Sequence, residues 1–293
     1  MMTLNRPMTA LAALLTLFGL TLAGCAFDPN TLPNDADLAL ALDASAVNQE
    51  ADIVNDSATT VLGAPGPAYT GWARTEWSVA TNRREVLDSD RAAGTATVRH
   101  TRSIAGTLKV ASNWAAFVGG TNLGTKAFTM EKTRLLTAEK TGRTWKVTGA
   151  SYAVATSPDP GLNLVEVKIY DASSGGNLVQ TIDASAMTNV MKLGELRTLP
   201  NAATVRVEAK VSRALATTVP LVYLHHAGRR AILYDDGASG DSVAGDLVYT
   251  GVFLVGRAEY KQVHVDVIDQ VSINDPSAAN YRSVVWNLVF KGR

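Results

Sequence analysis

Thirteen residues, YDDGASGDSVAGD from Tyr234 to Asp246, hold four carboxylates and three glycines. Carboxylate oxygens are hard ligands suited to calcium, which takes six to eight oxygens in flexible geometry. Glycines let a loop fold tightly enough to turn several of those oxygens inward. Asp235, Asp236, Asp241 and Asp246 are therefore the candidate metal ligands, and calcium is the expected cation. The spacing is not that of an EF-hand, because the two five-residue steps from Asp236 are too wide and no closing Glu follows. Plain turn chemistry competes with this reading, since Asp side chains bond backbone amides two residues on. Both readings stand on sequence.

A second group could do acid–base or metal chemistry: His225 and His226, then His264 with Asp266 two residues on. Adjacent histidines on a strand point to opposite faces, so at most one of the pair can join His264. The chain has no H-E-x-x-H, no G-x-S-x-G and no phosphate-cradling glycine loop. No catalytic residue is assigned, and a non-enzyme is expected, with a hydrolase using these histidines as the lesser alternative.

The third chemical position is Cys25, the sole cysteine, which rules out a disulfide within the chain. Residues 1–24 carry one charged side chain, Arg6, ahead of the apolar run MTALAALLTLFGLTLAG, the layout of a secretory signal. The run ends in Leu22-Ala23-Gly24-Cys25, which resembles the lipobox of bacterial lipoproteins. The resemblance implies a lipidated Cys25 as the new N-terminus, anchoring the protein to a membrane of the cell envelope. Ala26 after the cysteine implies the outer membrane where the cell has two. Residues 25–36 then read as a polar, proline-broken tether.

Without residues 1–24 the chain holds 26 basic and 27 acidic side chains. That balance offers nothing to attract nucleic acid. The frequent Val, Thr, Ala and Gly suit sheet, and a mainly β protein in two compact units is expected.

In the first unit, residues 37–156, Leu38, Leu42, Val47, Ala51 and Val54 recur at helical steps. GAPGP at 63–67 stops that pattern. Strands follow: TATVRHTRS and GTLKVAS around Ile104-Ala105-Gly106 read as a hairpin, and AFTMEKTRLLTAEK with TGRTWKVTGAS as a second, turned at Thr141-Gly142-Arg143. One helix with antiparallel strands makes a small α+β domain. Its closing strand, residues 143–149, is similar to the last strand of cone-shaped domains of the nuclear-transport-factor-2 or cystatin kind. Trp72, Trp77, Trp114 and Trp145 are expected in its core or rim, and Arg83-Arg84 in a solvated turn.

Residues 155–161, ATSPDPG, form the expected boundary. Beyond it period-two alternation dominates at residues 164–170, 205–211 and 263–267, each with one wet face, on which His264 and Asp266 would lie. An immunoglobulin-like antiparallel β-sandwich over residues 161–293 is expected, with Trp286 in its core. The apolar runs RRAILY and LVYTGVF flank the acidic loop, so strands would hold its ends.

Asp235-Asp236-Gly237, Gly240-Asp241 and Ala244-Gly245-Asp246, closed by Val248-Tyr249-Thr250, resemble the DDG-x-x-GD-x-x-AGDG-x-Y segment of immunoglobulin-like domains in exported bacterial proteins, including choice-of-anchor X domains. Leu247 stands where glycine is usual. The resemblance implies a β-sandwich with an acidic, cation-binding loop, and it does not imply an enzyme. The expected role is binding or structural at the envelope, with an assembly factor that grips another envelope protein through a sheet edge as the alternative.

Overall fold

Three long strands, Gly71–Asp90, Thr95–Ala111 and Gly124–Thr141, carry the first half, and the last two alternate over most of their length. In Thr95–Ala111 one parity holds Ala96, Val98, Ile104, Leu108 and Val110, and the other Thr97, Arg99, Ser103, Thr107 and Lys109; such a pattern extends as pleated sheet. The computed structural model describes residues 36–48, 61–62, 71–90, 92–111, 119–121, 123–172, 176–226, 229–256, 260–275 and 281–292. The signal segment, Cys25, the tether before residue 36, Ala51, Val54, the GAPGP stop and Trp114 lie outside the described residues.

In chain order the elements are α1 (Ala36–Ala44), β1 (Val61–Leu62), β2 (Gly71–Asp90), β3 (Thr95–Ala111), β4 (Gly124–Thr141), β5 (Thr144–Ala150), β6 (Ala153–Thr156), β7 (Leu162–Asp171), β8 (Asn177–Asp183), β9 (Met191–Lys192), β10 (Thr198–Leu199), β11 (Thr204–Arg213), β12 (Pro220–His226), β13 (Arg229–Leu233), β14 (Val248–Leu254), β15 (Tyr260–Asp269), α2 (Gln270–Asn274) and β16 (Ser283–Gly292). The protein is mainly β. Among the described residues, the larger sheet follows β1-β13-β12-β15-β16-β6-β4-β3-β2 with β5, β9 and β10 at its margins, and the smaller follows β14-β11-β7-β8. No described helix is long and apolar enough to cross a membrane.

The smaller sheet packs on one face of β12, β15 and β16. Val167, Ile169, Val205 and Val207 meet Val263, Val265, Val267, Trp286 and Leu288 there, a sandwich core. On the opposite face the larger sheet curls over itself. Trp72 of β2 stacks edge-on at 5.2 Å against Tyr223 of β12, although these strands stand far apart in the sheet order. Phe128, Met130, Ile268 and Val285 complete that second core. A third joins α1, through Leu38 and Leu42, to Leu136, Trp145 and Val147. Each such large apolar side chain contributes roughly 1.5–3 kcal/mol on burial.

Several expectations change. β15 and β16 are covered on both faces, so His264 and Asp266 are buried instead of wet. Ile104-Ala105-Gly106 is no hairpin turn but the middle of β3; a Cβ on Gly106 would sit 2.8 Å from Phe128 Cε1 and 2.9 Å from Trp77 Cα. The glycine serves close approach to the neighbouring β2, opposite the register shift between Thr75 and Ser78, not reversal. Arg83 and Arg84 lie within β2, paired with Glu131 and Asp43. The turn at 141–143 does join β4 to β5, with Gly142 at φ 64°. In β7, Leu164 faces the core with Val167 and Ile169, because a register shift opposite Lys210 and Val211 throws Val165 outward.

The stretch at 156–161 is where the chain leaves the larger sheet at β6 and enters the smaller at β7. The larger sheet continues past it, since β6 pairs with β4 on one side and β16 on the other. Few crossing contacts were expected at this link, whereas the hydrogen-bond ladder and the second core both span it.

Candidate functional site

The acidic loop runs between β13 and β14. A bridge from Tyr234 to Thr250 clamps its base, with N–H to O distances of 2.9 and 2.8 Å. Five residues of the loop take positive φ: Gly237, Ser239, Gly240, Gly245 and Leu247. Leu247, at 65°, adopts the left-handed backbone that favours glycine, and its N–H donates to Asp235 Oδ2 at 3.0 Å.

Asp235, Asp241 and Asp246 each bring one carboxylate oxygen to within 4.8 Å of the others. That separation fits a shared calcium ion, whose oxygen ligands lie about 2.3–2.6 Å from the metal. Asp236 is turned aside and accepts from the Ala238 amide at 2.8 Å and the Ser239 hydroxyl at 3.3 Å. The four candidates thus resolve into a convergent three and one turn-former.

The three are also braced by the backbone. Asp235 Oδ1 accepts from the amides of Gly245 at 2.6 Å and Asp246 at 3.2 Å. Asp241 Oδ2 accepts from Gly237 at 2.8 Å, and Asp246 Oδ1 from Val248 at 2.9 Å. The Gly237 amide holds the Asp241 carboxyl below the usual range, against the opposing effect of desolvation. Asp235 Oδ1 gives both lone pairs to amides, while its Oδ2 accepts from Leu247 and keeps a second lone pair, so amide donation and a cation are compatible through that oxygen. Three carboxylates leave other ligand positions to carbonyls and water. The donor set fits calcium as a clasp on a loop that is already formed.

The histidines sit elsewhere, inside the curl. Asp266 accepts from Arg74 at 2.6 and 3.0 Å and from Ser283 Oγ at 3.0 Å, and His225 Nε2 stands 3.2 Å away. Arg74 also donates to the Tyr281 hydroxyl at 2.6 Å. Burial alone would raise the Asp266 pKa, but Arg74 and His225 outweigh it and hold the carboxyl well below its usual value. Burial pushes Tyr281 up to about 12. His226 faces the other way, where Nε2 accepts from the Gly256 amide at 2.7 Å.

Beside this pair lies a belt of buried basic groups that sequence reasoning missed. His100 and Arg102 of β3 stand opposite Arg134 and Lys132 of β4. Arg134 donates to Asn287 Oδ1 at 3.1 Å, and Asn287 is the cross-strand partner of His264. Arg102 Nε donates to His100 Nε2 at 3.2 Å and its NH2 to Asp43 Oδ1 at 2.9 Å. Burial and then the cations Arg102 and Arg84 press the His100 pKa down to about 3. Burial, then His225, Lys132 and Arg134, lower that of His264 well below normal. The belt has a readable signal. Lys132 and Arg134 share the parity of Phe128, Met130, Leu136 and Ala138, while the opposite parity holds Thr129, Glu131, Thr133 and Thr137.

At the sheet edge, β2 pairs only with β3 among the described residues. Register shifts interrupt it at Thr75/Ser78, Val79/Thr81 and Val86/Asp88, and Arg83, Arg84, Glu85, Asp88 and Asp90 charge its outer half. Bulges and charges are the devices that discourage strand addition.

Comparison of the chain with protein-family models, with curated proteins and with solved structures returned no match.

Proposed function

We propose that the chain is a non-catalytic binding or structural protein of the bacterial cell envelope, tethered through a lipid on Cys25 and clasped by calcium at Asp235, Asp241 and Asp246. The observation that carries the cation reading is the approach of those three carboxylates, of half-buried Asp235, buried Asp241 and exposed Asp246, to within 4.8 Å. The immunoglobulin-like reading of the C-terminal half rests on the same loop motif. Against the hydrolase alternative, His225 and Asp266 are engaged with each other and Arg74, and His264 is sealed from solvent. Against the edge-gripping alternative, β2 is bulged and charged along its length.

Two measurements test the reading. Equilibrium dialysis of the purified body against a few millimolar calcium, with metal analysed on both sides and no wash, should show close to one calcium bound per chain; none bound would remove the clasp. Cys25→Ser should shift the protein from the membrane fraction to a soluble or precursor pool. Unchanged partitioning of the processed variant into detergent would remove the anchor.

A further inference from the structure

His264 is fully buried, and among the described residues neither of its ring nitrogens has a hydrogen-bond partner. A neutral imidazole tolerates such a place, whereas an imidazolium with no acceptor does not. The groups around it offer none. From β12 it faces His225 and His226; from β4, Lys132 and Arg134; from β16, Asn287, whose Oδ1 already accepts from Arg134. On its own strand Asp266 is engaged by Arg74, Ser283 and His225.

His100, further along the belt, differs: its Nε2 stands 2.5 Å from Asn82 Oδ1 and its Nδ1 3.2 Å from Asn48 Oδ1, so a proton gained there has acceptors beside it. Its charged neighbours are Arg102 on its own strand, Arg84 from β2, Lys132 and Arg134 from β4, and Asp43 from α1. Asp43 lies 3.9 Å from its Nε2 but is already bound by Arg84 and Arg102. His225 is the internal contrast, because a proton gained there would meet the Asp266 carboxylate at 3.2 Å.

His264 lies on the seam between two wings of one sheet. The wing β2-β3-β4 reaches β16 through β6, which is only four residues long, Ala153–Thr156. The curl is closed at its far side by Arg74 on Asp266. We propose that His264 is an acid-operated latch: neutral, it lets the curled sheet close over it, and protonated, it forces the β2-β3-β4 wing away from β15 and β16 about β6. Opening gives the imidazolium water in place of neighbouring cations.

The sign follows from linkage. The closed state binds the His264 proton more weakly than the open state, so closure is complete above the ordinary histidine range near pH 6.5 and is lost as pH falls below it. Histidine Cε1–H resonances of the full chain, assigned with single-histidine variants, should show His264 not titrating between pH 8 and 5.5 in the closed form. Near-UV circular dichroism should report loss of aromatic packing on further acidification, with uptake of at least one proton. His264→Leu should move that transition down by at least half a pH unit and reduce the uptake by about one proton. The latch is overturned if His264 titrates near 6.5 in the closed protein, or if the variant opens at the same pH as the parent. Should His264→Leu fail to fold, the parent's resonances decide the matter alone.

Discussion

The acidic loop and the basic belt are both clusters of like charge, and they manage repulsion in opposite ways. The loop leaves Asp246 exposed and Asp235 half-buried, buries Asp241, and gives each at least one backbone N–H, so it is stable as a turn before any ion arrives. The belt takes its cations and histidines out of water, where a partnered group such as Asp266 is secure and an unpartnered one such as His264 is exposed to failure. Charge on the surface therefore tunes this protein by small amounts, and charge in the interior by large ones. That difference can be broken experimentally.

The largest effect should come from the closure of the curl. Arg74→Met leaves Asp266 charged and buried, and removal of one member of a buried pair costs about 3–5 kcal/mol. Urea unfolding should show that loss, and replacing Asp266 by Leu in the same chain should recover part of it. A loss below about 1 kcal/mol would mean that apolar packing around Trp72, not the ion pair, holds the curl. Next comes acid. Each histidine kept neutral removes about 1.4 kcal/mol of stability per pH unit below its unfolded pKa. With His100 and His264 both depressed, the loss should steepen below pH 6.5 and approach about 2.7 kcal/mol per unit once pH is a unit or more lower. The Asp241 carboxyl is also depressed, but its contribution is present above its unfolded pKa near 3.8 and is lost only as pH falls through its lower folded value. A probe at the loop should therefore respond well below the pH at which the belt responds. A single shared acid transition would erase the distinction.

How much of this was legible before the structure differs between the two regions. The loop was legible because its determinants are local: turn residues, flanking strands and carboxylates all lie within Tyr234–Thr250, and only the outward turn of Asp236 had to be seen. The mainly β character and the strands at 164–170, 205–211 and 263–267 were equally plain from alternation. The belt was not, because alternation marks which residues share a face but not which face is covered. His264 and Asp266 looked wet since they are polar, and only the return of β2 over β12 and β15 buries them. Gly106 misled for the same reason: a glycine between two alternating runs looks like a turn until the bulged strand beside it is known.

Two glycines sharpen the comparison at intermediate size. Gly106→Ala forces a Cβ within 2.9 Å of the Trp77 backbone, where β2 cannot yield without disturbing the curl. A cost of about 1–3 kcal/mol is expected from overpacking. In the loop, Gly237 has φ 65°, and a Cβ there would lie 3.1 Å from the Ala244 amide nitrogen. Gly237→Ala should cost about 1–2 kcal/mol from the left-handed backbone. Thermal melts should rank the two in that order, with the second loss confined to the loop by hydrogen exchange.

The smallest effect is the clasp itself. Calcium sites in extracellular modules bind at about 10⁻⁴ to 10⁻³ M. At a few millimolar calcium, selective binding to the folded state adds roughly 0.6–2 kcal/mol. For one sheet system of this size the melting temperature should rise by about 1–8 °C, and chelation should remove the rise. Magnesium should do less, because it prefers a tighter octahedral shell and keeps its own water. Asp241→Asn with Asp246→Asn keeps the side-chain oxygens that accept from Gly237 and Val248 while deleting two of the three convergent charges. The double variant should fold at nearly the parent's stability without calcium and gain nothing from it. If parent and variant respond alike to calcium and chelator, the three carboxylates converge for the sake of the turn, and the surface cluster needs no ion to offset its repulsion.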